Sequence, residues 1–414
     1  MTETVVIGGG AAGIAAARTL QDAGADVLLV EASHRLGGRA RSVRLTLLFS
    51  GEEVTVDHGC GWLHSAARNP WTRIAEAEGF VVDRSSPHWR EQWNGLGFSA
   101  DEQRAFGDAY QAWDEAAHAA LGGDDRSLAT IPAEPRWRPM LEAISGFANG
   151  AGLAQVSLHD WAAYDDAAGK ENWALPAGYG TLVAHHATAV PVRLGTCVTG
   201  IDHRGRMLRI ETDAGTIEAT HAVVCVPTTA LPAIAFDPPL PDKVDAAAAL
   251  PLGLADKVFV AVDRPEWPAH AHLIGNPYSG CTASHRLSPF GWPLVESFFG
   301  GDCAQALEDE RAACAFAVDE LVALLGSDWR VRLRPLAATR WRDEPFIHGS
   351  YSHARIGRAG ERTVLAAPVD GRLFFAGEAC HPTDFSTAHG AYETGVAAAR
   401  AILAGGCLPH TPVR

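Results

Sequence analysis

VVIGGGAAGIAAARTLQDAGADVLLVEASHRLGGRA, residues 5–40, decides the fold. Val5 to Ile7 form an apolar run suited to a buried parallel strand, and Gly8, Gly10 and Gly13 follow in GxGxxG spacing. Those glycines permit a tight turn, a close approach of backbone to a pyrophosphate, and close packing of a helix on the sheet. Residues 11–23 are rich in Ala and Leu at helical spacing, so a phosphate would rest on a helix N-terminus. A second apolar run, Val27 to Val30, ends at Glu31, an acid suited to a ribose hydroxyl and unsuited to a 2′-phosphate. Strand, glycines, helix, strand and acid in that order specify a dinucleotide site.

The residues after Glu31 separate flavin from nicotinamide. LGGRARS (36–42) follows almost directly, and a second glycine pair with Arg39 is the pattern of FAD enzymes of the glutathione-reductase type. LFFAGEACHPTDFSTAHGAYETGVAAARAI (373–402) supplies the other half. Leu373 to Ala376 read as a strand, Gly377 and Glu378 follow, and a helix from Ser386 would point its N-terminus at a flavin carbonyl, where it stabilises negative charge. The chain must therefore leave the nucleotide domain and return to it.

At 414 residues, with 47% hydrophobic and 20% charged residues, the chain can bury a large globular core in two or more domains. No apolar stretch is long enough to cross a bilayer and no leader peptide is visible, so we expect a cytoplasmic protein without a membrane partner. Eight scattered cysteines without a CxxC pair read as mostly reduced thiols. The net charge of −15 argues against nucleic-acid binding, and it is compatible with a cationic substrate or with nothing more than solubility.

Residues 59–80 read as a loop entering a helix, and 81–150 as an insertion containing a helix from Asp101 to Leu121. CVTGIDHRGRMLRIETDAGTIEATHAVVCVP (197–227) alternates as a β-meander with turns at HRGR and DAGT. Residues 254–345 add strands and one helix, Cys303 to Leu325. The expected architecture is α/β: an FAD-binding Rossmann domain of the glutathione-reductase type, from 1–80, 174–250 and 346–414, with a discontinuous α+β substrate domain from 81–173 and 251–345.

Seven blocks, GGGAAGIAAA, VEASHRLGGRARS, VDHGCGWLHSAARNP, LPAGYGTL, ADKVFV, FIHGSYSHARIG and FAGEACHPTDFSTAHGAYETG, resemble the flavin amine oxidases, most closely the polyamine oxidases. FIHGSYSHARIG with FSTAHGA is similar to the acetylpolyamine and spermine oxidase type. The resemblance implies that Gly8, Gly10, Ala11, Ala12, Gly13, Glu31, Ala32, Gly37, Gly38, Arg39, Gly59, Gly61, Trp62, Val198, Gly377, Glu378, Thr387 and Ala388 bind FAD. Ser350 stands where monoamine oxidases carry the cysteine that bonds the flavin, which implies non-covalent FAD. Lys257 is the implied chemical residue, reaching the flavin N5 through a water; taken alone, a lysine before an apolar run reads as an edge-strand gatekeeper. His64 matches the tunnel mouth, Tyr351 one aromatic wall before the flavin with Trp341 beside it, and Thr387 the more polar opposite side.

The implied reaction is oxidation of an amine C–N bond by hydride transfer to flavin N5, giving an imine, then aldehyde plus amine, and hydrogen peroxide from oxygen. A monoamine or L-amino-acid oxidase or dehydrogenase is the alternative; it needs an arginine for a carboxylate, and Arg340 and Arg342 are candidates. Carotenoid or porphyrinogen oxidoreductases and a demethylase-like scaffold fit the blocks around Lys257 and Tyr351 less well. His348, His353, His381 and His389 do not match zinc spacings, so no metal is expected. Asp160, Asp165, Asp166 and Glu171 read as a solvated face, or as a greeting for a polyamine's distal ammonium. Oligomeric state stays open.

Overall fold

The first apolar run is the strand Thr2–Ile7, flanked in the sheet by its parallel partners Val27–Val30 and Gly215–Val224, with Val6 buried in one core and Val5 and Ile7 in another on the opposite face. Both-face burial is why such strands read as continuous apolar runs. The structure, a computed structural model, describes residues 2–405. Cys407 and the rest of the expected C-terminal segment, 406–414, lie outside the described residues.

Gly215–Val224 is long enough to take two neighbours on its other edge. Its first half pairs antiparallel with Leu208–Thr212, and Ala222 to Val224 pair in parallel with Leu373–Phe375. The returning C-terminal strand thus sits in the same sheet as the N-terminal one. Val198–Asp202 completes the meander, Ala235–Asp237 closes that edge, and Val192–Arg193 closes the other.

Helix Ala11–Asp22 rises from the glycine turn and lies against the last helix, Ala388–Leu403. Their backbones meet at Gly395, where an added Cβ would stand 2.1 Å from the Ala12 carbonyl oxygen. Below them, Glu378 is buried and fastens three segments. Arg39 Nη1 donates to its Oε1 at 2.8 Å, Ser352 Oγ to its Oε2 at 2.7 Å, and Arg362 Nη1 to Ser352 Oγ at 2.9 Å. Arg362 in turn grips both oxygens of Asp160 at 2.7 and 2.9 Å. Asp160 is only 1% exposed, so it belongs neither to a solvated face nor to a substrate wall.

The second sheet is antiparallel, in the order Ala271–Ile274, Ser284–Leu287, Leu294–Gly300, Ala255–Val262, Leu333–Ala338. The Lys257 strand is interior and buried at every position, which removes the edge-gatekeeper reading. Val258, Val260 and Val262 face helix Glu310–Leu325 through Ala313, Ala317 and Leu321, while Phe259 packs with Val54 and Val56 of a ribbon, Ser42–Thr46 and Glu53–Asp57. Alternation puts Lys257 on the ribbon side. Helices Ala100–Ala119, Arg138–Asn149 and Leu158–Ala167 build a separate layer around Trp113, Trp137 and Trp161. Among the described residues no helix is long and apolar enough to cross a membrane.

Two local readings change. The expected helix Cys303–Leu325 is two helices, Asp302–Ala306 and Glu310–Leu325, because Asp309 caps the second by accepting from Ala312 N. Most of the described cysteines are free thiols, as expected, but Cys281 and Cys303 form a disulfide; their separation of 22 residues hid a proximity created by the fold.

Two outcomes test this packing. Gly395→Val should destabilise the protein by about 1–3 kcal/mol through overpacking, whereas Gly107→Ala, in a helix with open space around it, should be neutral or stabilising in thermal unfolding. Burial raises the Glu378 carboxyl, but Arg39, Arg362 and the Ser352 hydroxyl outweigh it and hold the group below its ordinary value of 4.5. A depressed carboxyl adds stability above its unfolded value and loses it as pH falls through the folded value. Glu378→Gln should therefore cost roughly 3–5 kcal/mol near neutrality, and the gap to the wild type should narrow in unfolding curves taken at acid pH.

Candidate active site

One cavity of about 1800 Å³ runs from the glycine turn to the second sheet. That exceeds the roughly 300–1,000 Å³ of a site for one drug-sized ligand, so there is room for a dinucleotide and a substrate together. Of the residues read as cofactor-binding, only Gly13 stays out of the lining. Its added Cβ would strike Gly8 O at 1.9 Å, which fits its expected part in helix packing.

The dinucleotide end fits a flavin dinucleotide. A Cβ on Gly10 would meet no protein atom within 4 Å and would project into the cavity, so glycine leaves that space for a phosphate. Gly10 contributes no side-chain cap, leaving the first amides of helix Ala11–Asp22 available to an anion. Glu31 accepts from Gly9 N and Ser33 N and lines the cavity beside Ala32 and Val198, in keeping with a ribose contact. At the other end Ser350 Oγ is buried without a hydrogen-bond partner, an orphan that a bound group would satisfy.

Lys257 enters the same cavity from the interior of the second sheet. Its Nζ donates to Asp57 O at 2.9 Å and pairs with Glu296 at 2.7 Å. Gly61 permits this approach, since a Cβ there would lie 3.3 Å from Nζ. The Asp57 carboxyl is pushed up by burial, against hydrogen bonds from Ser42 Oγ, Tyr179 N and Gly180 N.

His64, Trp341, Tyr351 and Thr387 all line the cavity, and each has a side-chain polar atom engaged with protein. His64 Nδ1 meets Asn172 Oδ1 at 2.7 Å, and burial lowers the ring to about 4, so it is neutral at physiological pH. Trp341 Nε1 donates to His58 O at 3.1 Å, and the Tyr351 hydroxyl donates to Phe147 O, so Tyr351 offers its ring alone. Thr387 Oγ1 donates to Asp384 O and accepts from Gly390 N as the cap of the last helix. It is a helix cap, with no hydroxyl left over to make a polar wall.

The carboxylates read together from 160 to 171 part company. Asp165 lines the cavity with Asp114, and burial raises it; Asp166 reaches His118 at 3.3 Å, and Glu171 is exposed. His381, Asp384 and Glu393 lie together, yet Arg68 and His389 already bind the Asp384 oxygens at 2.8 and 3.0 Å. Neither candidate arginine lines the cavity: Arg340 pairs with Asp343, and Arg342 donates to Ala304 O.

Glu296 and Arg286 are among the lining residues that the sequence reading did not single out. Arg286 is buried against Trp62 and Phe290, with its Cζ 4.4 and 4.7 Å from the ring centres, and burial lowers its guanidinium despite Glu296, Asp83 and Asp57. Glu296 is the lone charge in the apolar strand Leu294–Gly300, and Arg286 sits in the mixed strand Ser284–Leu287. That is a signal of inward function only once the pairing with neighbouring strands is known.

A family model described as flavin containing amine oxidoreductase matches residues 11–163 and 114–403. The chain is 29% identical to polyamine oxidase 2 of Arabidopsis thaliana, over 95% of this chain and 86% of that one. It is 26% identical to polyamine oxidase 1 of Oryza sativa subsp. japonica, over 96% of each. It is also 28% identical to lysine-specific histone demethylase 1 homolog 2 of the same rice, but spans only 56% of that protein. Cyclohexylamine oxidase from Brevibacterium oxydans IH-35A shares the fold, with a TM-score of 0.82 over 98% of this chain and 99% of that one at 21% identity. The chain belongs to the flavin-containing amine oxidoreductase family.

Proposed function

We propose that this protein is an FAD-dependent amine oxidase that breaks a C–N bond of a small amine and uses oxygen as the acceptor. What carries this reading is Lys257, which lies in the same cavity as the glycine turn and Glu31 although its strand belongs to another sheet. The chemistry that FAD would supply when bound is two-electron transfer: a hydride leaves the carbon beside the amine nitrogen, and its two electrons and proton, with one further proton, convert oxygen to hydrogen peroxide. Water then converts the imine to an aldehyde and a released amine or ammonia.

The chain's own residues bind, orient and charge the site. The open side of Gly10 and the first amides of its helix would hold the pyrophosphate, Glu31 the ribose, and the start of helix Ala388–Leu403 the electron-rich end of the ring system. Tyr351 and Trp341 present apolar ring surface to the substrate, which must arrive as the free amine to lose a hydride. Lys257, held by Glu296 and the Asp57 carbonyl, supplies a fixed ammonium and an ordered donor for water. Non-covalent attachment rests on Ser350 and on the state of the nearby thiol: burial pushes Cys60 up to about 12, so it is no nucleophile.

Polyamines head the panel of amines to test, because relatives bear that name and Asp114 and Asp165 would meet a second ammonium. The amino-acid oxidase alternative requires an arginine other than Arg340 and Arg342.

Hydrogen peroxide should form with at least one of spermine, spermidine, N-acetylated polyamines, aromatic monoamines or amino acids; an enzyme silent on all of them contradicts the proposal. Acid precipitation should leave FAD in the supernatant, and flavin pelleting with the protein would show a covalent bond. Lys257→Met should keep bound flavin while slowing flavin reduction or reoxidation by about 100-fold or more in stopped-flow absorbance. Unchanged rates would remove Lys257 from the chemistry.

A further inference from the structure

Arg286 lies on the cavity-facing side of the second sheet, opposite His272 on one neighbouring strand and Glu296 on the other. Glu296, Asp83 and Asp57 act on Arg286 from a distance, but none of them pairs with it directly. Lys257 and Glu296 pair with each other at 2.7 Å, while none of the carboxylates of the described residues forms an ion pair with Arg286. Its Nε is buried with no partner, and its Nη2 donates to His270 Nδ1 at 3.0 Å. Asp83 stands behind His270, 3.1 Å from its other ring nitrogen, so the nearest counter-charge on that side is one imidazole away.

A guanidinium only 8% exposed without a carboxylate partner is expensive to bury. Here it is also held still, because Trp62 and Phe290 cover its faces and leave its N–H edge as the reactive part. That edge matches a carboxylate in two parallel hydrogen bonds, whereas a polyamine brings only further cations. A side pocket of about 20 Å³ between Asp57, Arg286 and Glu296 has room for one water, which satisfies an N–H but not the charge.

We infer that Arg286 is a carboxylate-binding subsite of this cavity, and that the amine oxidised carries a carboxylate which Arg286 holds while the C–N bond faces the flavin. The inference rests on the amine-oxidase reading and names its substrate class as aminocarboxylates.

Matched pairs that differ by one carboxylate test it: 2-phenylethylamine against L-phenylalanine, and butylamine against 4-aminobutyrate. In the wild type the carboxylate member of at least one pair should lead in kcat/KM for anaerobic flavin reduction. Arg286→Gln should lower that member's kcat/KM by about 10- to 100-fold, mostly through KM, and change its neutral partner far less. Arg286→Lys should recover part of the loss. Titration with benzoate, followed by calorimetry, should give binding to the wild type that Arg286→Gln abolishes, and this readout needs no turnover. If the neutral members lead, or Arg286→Gln slows both members alike, or benzoate binds the variant as well as the wild type, the subsite is refuted and Arg286 is a structural clamp on Trp62. Reduction by neutral amines alone would leave the amine-oxidase reading intact. Silence from every amine would defeat that reading instead, with benzoate still deciding the fate of Arg286.

Discussion

The cavity depends on one buried carboxylate. Glu378 comes from the C-terminal return of the chain and is held by Arg39 from the N-terminal segment and, through Ser352, by Arg362. Burial alone would favour the neutral acid, and the surrounding donors reverse that preference. The same fastening sets the Leu373–Phe375 strand beside Gly215–Val224 and the last helix beside the first. A dinucleotide gripped by two distant parts of a chain needs such a tie, because neither part alone encloses it.

Short-range physics was legible in the sequence. The glycine turn, the helix after it, Glu31 and the meander each depend on residues within one local unit, and each stands where its pattern put it. Long-range pairing was not legible. Asp160 looked like one acid of a surface run, and only the fold brings Arg362, 202 residues away, onto both its oxygens. Cys281 and Cys303 looked like scattered thiols until the fold closed the distance. Thr387 looked like a polar wall, but the two hydrogen bonds that start a helix engage its hydroxyl.

The same limit explains why the cavity's charges surprised us. Lys257 was found by resemblance, yet its partner Glu296 sits on the adjacent strand and its neighbour Arg286 on the next. Charge order across a sheet follows from register, and register has no signature in one strand alone. The result is a cavity lined by a paired lysine and a guanidinium without a direct carboxylate partner from the second sheet, and by Asp114 and Asp165 from the helical layer.

Both ends of the chain and the Lys257 strand line one cavity, and the decisive step proposed for it is reduction of a bound flavin by an amine. Mixing the flavin-loaded protein with excess amine under strict anaerobiosis, across polyamines, monoamines and amino acids, reads that step without presuming an acceptor. At least one amine should bleach the oxidised flavin band fully, with one imine or aldehyde formed per flavin. A flavin that dithionite reduces but that no amine in the panel bleaches would contradict it.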